Sequence, residues 1–220
     1  MEYDDVVTFY HEFGHLLHTL FAGHRKWIGT AGIQTEWDFV EAPSQMLEEW
    51  TRDAATLQTF AKHYKTNEPI PSEFVAQMNR ANEFGKGLQV RTQMVYARLS
   101  LSIYDRLPAE VNTDQLVKKI YTDYSPVPFV DGTHMQTSFG HLDGYSAIYY
   151  TYMWSLVMAK DMFSKFNRQN LLDPAVATRY RKAVLEPGGS KPAETLLVDF
   201  LGRKPSFDAY QNWLNDNGAR

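Results

Sequence analysis

The chain has 220 residues, enough for one sizeable domain or one domain with a lobe. Hydrophobic residues make up 44% and aromatics 14%, ample for a packed core, and a net charge of −4 gives no sign of a nucleic-acid surface. There is no cysteine, which excludes disulfides and thiolate metal ligands, and no run approaches the ~20 apolar residues of a membrane span.

The acidic opening MEYDDVVTFY lacks the apolar stretch of a secretory leader, so the cytoplasm is the expected location. Asp4 and Asp5 supply negative charge before a periodic run, and a helix is predicted from residue 5 to 22. At most a short extended piece is expected near residues 27–37. Pro43 suits the first turn of a helix over 42–63. After the breaker NEPIP, a long helical region from Ser72 to about Arg106 is expected to bend at Gly85-Lys-Gly87. A shorter helix runs from Thr113 to about Tyr124, then a long loop from Ser125 to His141. A helix over 144–166 follows, and Asp173, Ser190 and Ser206 each open a smaller one. Strand signals are weak and no repeat is evident. The predicted class is all-α, a single multi-helix domain spanning 1–220.

The segment FYHEFGHLLHTLF, Phe9–Phe21, puts histidines and a glutamate inside an apolar run. His11 and His15 are four residues apart, about 40° around a helix, so both imidazoles share a face. Glu12 follows His11. This is H-E-x-x-H, in which two neutral histidines bind Zn²⁺ and the glutamate serves a zinc-bound water. Taken alone, such a pair also suits polar residues at the edge of an amphipathic helix. A tetrahedral zinc needs a third protein ligand and keeps its last position for water. His18 lies on the right side, but three histidines on one straight helix do not surround a metal; it reads as structural or as a support to the ligands. Glu41, at the start of the next predicted helix, is the better candidate, because two antiparallel helices bring it against both rings. On spacing alone it is also a solvated first-turn carboxylate. Downstream, Tyr145, Tyr149 and Tyr152 follow an i, i+4, i+7 pattern on the predicted helix. That pattern fits either a packed aromatic stripe or a set of phenol donors.

TFYHEFGHLLH, followed by Glu41 in DFVEAPSQMLEEW, closely resembles the thimet oligopeptidase family of zinc metallopeptidases, which includes oligopeptidase A, dipeptidyl carboxypeptidase and, more distantly, oligoendopeptidase F. FGHLDGYSAIYYTYMWS and RYRKAVLEPGGSKPAETLLVDFLGRKPS extend the likeness over nearly the whole chain. The resemblance implies a zincin-type helical catalytic domain binding one Zn²⁺ through His11, His15 and Glu41, with Glu12 as general base. It places His141, Tyr145 and Tyr152 among the groups that stabilise the tetrahedral intermediate. Tyr149, Gly140 and Gly144 then fall in the substrate-binding loop and tyrosine helix.

The sequence departs from that family in two ways. Only ten residues precede His11, where family members carry several hundred, forming the opposite wall of a substrate channel. HLDGY also has one residue fewer between His141 and Tyr145 than the family's paired-glycine pattern. The expected function is zinc-dependent hydrolysis of peptide bonds in short or unfolded peptides. The competing expectation is a metal-binding helical domain with little turnover that acts through a partner. Peptides are the expected partners, with a homo-oligomer or a separate chain covering the surface that an N-terminal lobe would cover.

Overall fold

The computed structural model describes residues 1–216. The described residues are all-α: ten α-helices joined by 3₁₀ turns, one π-helical segment (Arg181–Leu185) and loops, with no strand beyond one isolated bridge between Lys62 and Pro69. Helix α1 (Tyr3–Ala22) opens on a bond from the Glu2 amide to Asp5 Oδ2 at 2.8 Å. Residues 27–37 form a 3₁₀ turn, Ile28–Thr30, and further turns instead of an extended piece.

Three predicted helices are shorter than their spacing suggested. The helix expected over 42–63 is α2 (Ala42–Glu48), a 3₁₀ turn to Arg52, and α3 (Ala54–Gln58). Asp53 makes the break: its extended backbone starts a new helix, and its carboxylate caps the Thr56 amide at 2.8 Å. The long helical region divides at its glycines into α4 (Ser72–Glu83) and α5 (Lys86–Tyr104), where Gly85 adopts φ 72°. The tyrosine helix does not begin at 144. Gly144 (φ 96°) and Ser146 (φ 49°) hold left-handed backbone that no helix can pass through, and α7 runs only from Thr151 to Phe163. Helix α6 (Thr113–Tyr124) forms where predicted, and α8 (Pro174–Tyr180), α9 (Ala193–Leu201) and α10 (Asp208–Asn215) follow the three late start signals.

The chain divides into two compact units, Met1–Phe84 with the segment from Ser155 onward, and Gly85–Trp154. The core of the first gathers Phe39, Met46 and Trp50 with Met162, Phe166, Tyr180 and the α9 residues Leu196, Leu197 and Phe200. The second unit centres on Val95, Leu99, Val117 and Ile120, where α5 packs on α6.

Helix α1 packs along α2. Its buried positions are Gly14, His18 and Ala22, one turn apart. The apolar residues that made it read as a core helix lie elsewhere: Phe9, Phe13, Leu16 and Leu20 are 56%, 40%, 45% and 63% exposed along one face.

Candidate active site

In the first unit, α1 supplies His11 and His15 one turn apart, with ring centroids 5.0 Å from each other. Glu41, the N-cap of α2, is 1% exposed. Its Oε2 lies 3.2 Å from His11 Nε2 and 3.1 Å from His15 Nε2. One candidate ligand atom from each of the three residues lies within 4.8 Å of the others. Ligands about 2.0–2.2 Å from a tetrahedral zinc stand roughly 3.3 Å apart. The observed nitrogen–oxygen separations match two edges of that tetrahedron, so the residues fit the ion. Ser44, one turn into α2, donates to the Glu41 carbonyl at 2.9 Å and to its Oε2 at 3.3 Å, holding the carboxylate in place.

The approach of α2 to α1 depends on Gly14, the glycine between the two histidines. A Cβ there would stand 2.6 Å from Ser44 Cα. Only a residue without a side chain lets the second helix come this close. Sequence reasoning missed this role, although a glycine inside a helical pattern is the signal for it. It also missed Glu48, whose Oε1 lies 2.7 Å from His11 Nδ1. The visible sign was the seven-residue interval from Glu41 to Glu48, about 20° apart on one helix face.

Burial disfavours a charged His11, but the hydrogen bonds of Glu41 and Glu48 outweigh it and push its pKa up to about 10. Without metal, the His11 imidazolium therefore bridges two carboxylates at neutral pH. His18 is fully buried, with no hydrogen-bond partner for either ring nitrogen. Burial, with a smaller contribution from His15, lowers its pKa to about 4, so it is a neutral core residue. Glu12 is exposed on α1 beside this centre.

In the second unit, His141, Tyr145, Tyr149 and Tyr152 come together without a shared helix. Turns after the 3₁₀ segment Gly140–Leu142 fold back so that His141 lies 5.4, 5.1 and 5.5 Å, centroid to centroid, from the three phenol rings. His141 Nε2 and the Tyr152 hydroxyl are 3.2 Å apart. Tyr149 is 8% exposed, and its hydroxyl donates to Gln93 Oε1 at 3.1 Å. Burial, with Tyr152 and Tyr96 nearby, pushes its pKa up to about 12. Gly140 and Gly144 face open space.

Comparison with known proteins finds a match to the model of peptidase family M3 over residues 1–216. The chain is 34% identical over 214 residues to a thimet-like oligopeptidase of Dictyostelium discoideum, covering 96% of this chain and 32% of that protein. It is 33% identical over 217 residues to oligopeptidase A of Escherichia coli, covering 94% and 31%. A dipeptidyl carboxypeptidase of Salmonella typhimurium is 32% identical over 215 residues, covering 94% and 31%. The chain thus spans about a third of the length of the curated relatives it matches.

Proposed function

The chain belongs to peptidase family M3, and from that premise we propose that it is a zinc-dependent peptidase acting on short or unfolded peptides. The observation behind this reading is the convergence of His11, His15 and Glu41 on one point, with the two histidine Nε2 atoms 3.2 and 3.1 Å from one carboxylate oxygen. These three residues would hold the ion. When bound, zinc lowers the pKa of water and polarises a peptide carbonyl. Glu12 accepts a proton from the attacking water and delivers it to the leaving amine. Ser44 donates to the buried Glu41 carboxylate and fixes its orientation. By family resemblance, the phenols of Tyr152 and Tyr145 and the imidazole of His141 donate to the developing oxyanion. Tyr149, Gly140 and Gly144 belong to the peptide-binding loop on the same ground.

A quenched-fluorescence peptide assay tests this reading. Turnover that disappears with a chelator and returns with zinc supports it. Zinc bound at the centre without turnover supports instead a helical domain that acts through a partner. The exposed row Phe9, Phe13, Leu16 and Leu20 favours a partner surface in either case, since apolar patches of this kind mark interfaces. Self-association follows if a second copy covers it, and a clean monomer by light scattering at micromolar concentration counts against that.

A further inference from the structure

The two imidazoles of the centre are held unequally. His11 Nδ1 lies 2.7 Å from Glu48 Oε1, whereas the buried Nδ1 of His15 has no hydrogen-bond partner. We propose that Glu48 is a positioning residue of the metal centre. Its carboxylate accepts the His11 Nδ1–H and so fixes the tautomer that leaves Nε2 for the metal. This inference rests on the zinc reading above.

A neutral imidazole carries one N–H, and it binds a metal only through its other nitrogen. In water the two tautomers compete. A carboxylate within hydrogen-bond distance of Nδ1 settles that competition, restrains ring rotation and makes Nε2 more basic. Glu41 and Glu48 stand at the two ends of α2, so a single helix presents one carboxylate to each side of the His11 ring. The end of α2 that carries Glu48 is itself anchored. Thr51 Oγ1 donates to the Glu48 carbonyl at 2.7 Å and lies 3.2 Å from the Tyr3 hydroxyl at the start of α1. Glu48 keeps 30% of its side chain exposed, so its carboxylate is not there to fill the core. With His15 lacking any such acceptor, His11 is the imidazole whose metal-bound tautomer a neighbouring carboxylate would fix.

The experiment compares the unaltered chain with Glu48→Ala, Glu48→Gln and His15→Ala. Zinc affinity is measured by competition with a chromophoric chelator, and ring protons by NMR on ¹⁵N-histidine-labelled, zinc-loaded protein. The unaltered chain should show a slowly exchanging His11 Nδ1 proton at a hydrogen-bonded shift. Glu48→Ala should weaken zinc roughly 10- to 100-fold and lose that protected signal. Glu48→Gln should weaken zinc less, because its amide oxygen still accepts, and should move the proton upfield because the acceptor is neutral. If Glu48→Ala does not fold, the shift in Glu48→Gln decides the matter. Unchanged affinity and an unmoved proton in the Glu48 variants, with zinc lost in His15→Ala, overturn the role of Glu48 alone. Zinc binding unmoved by His15→Ala overturns the centre itself, and the inference with it.

Discussion

Gly14 of α1 lies against Ser44 of α2 so closely that a Cβ on the glycine would come within 2.6 Å of Ser44 Cα. The contact sits between the two histidines on one helix and three residues beyond Glu41 on the other. Whatever sets the α1–α2 distance therefore also sets the distance from Glu41 to both rings. Gly14→Ala should push the helices apart, costing about 1–3 kcal/mol by overpacking, and should weaken zinc at the same time. Denaturant unfolding and a zinc competition assay check the two effects. A variant with native affinity would show that the centre tolerates a wider helix spacing.

Glu12 is not one of the proposed ligands, so Glu12→Gln should retain zinc stoichiometry while kcat falls by at least 100-fold. Metal analysis together with the peptide assay reads both quantities. Full activity in this variant would remove Glu12 from the role of base.

Tyr152 and Tyr149 should separate in their effects. Tyr152→Phe removes a proposed oxyanion donor, at a cost of about 3 kcal/mol, or roughly a hundredfold in kcat. The Tyr149 hydroxyl is bonded to Gln93 at 3.1 Å inside the second unit. Tyr149→Phe should therefore appear in the unfolding midpoint, at about 1 kcal/mol.

Two histidines should contribute to the stability of the metal-free chain with opposite pH dependence on either side of about pH 6.5. The His18 pKa is lowered by burial from 6.5 to about 4. Its contribution is complete above 6.5 and is lost as pH falls toward 4, worth at most about 3 kcal/mol. The His11 pKa is raised from 6.5 to about 10. Its contribution is complete below 6.5 and is lost as pH rises through about 10. Urea titrations in chelator across this range check the shape. His18→Phe should flatten the acid side and Glu48→Gln the alkaline side.

Lys160 pairs with Glu49 where both side chains are almost inaccessible. Burial acts to raise the Glu49 pKa, but Lys160 and then Arg52 outweigh it and hold it below the usual carboxylate range. Glu49→Gln leaves Lys160 buried without its counter-charge and should cost about 3–5 kcal/mol. Replacing both residues by methionine should recover much of that loss in thermal unfolding.

Local spacing determined a good deal about this protein. The four-residue interval from His11 to His15 follows from helical geometry alone, and the proline, aspartate, serine and threonine signals marked where most helices start. What spacing could not weigh was competition between neighbouring signals. Asp53 preferred to cap a new helix, and the left-handed backbone at Gly144 and Ser146 stopped a helix that the tyrosine period favoured. Residues on different elements were beyond any local rule. Glu41 was reached from the expected helix pair and the family resemblance, but its distance to both rings, the carboxylate of Glu48 behind His11, and the exposure of Phe9, Phe13, Leu16 and Leu20 all depend on which face of α1 meets α2. That choice belongs to the tertiary structure, because it is made by the close packing of one glycine against a helix 30 residues away in the chain.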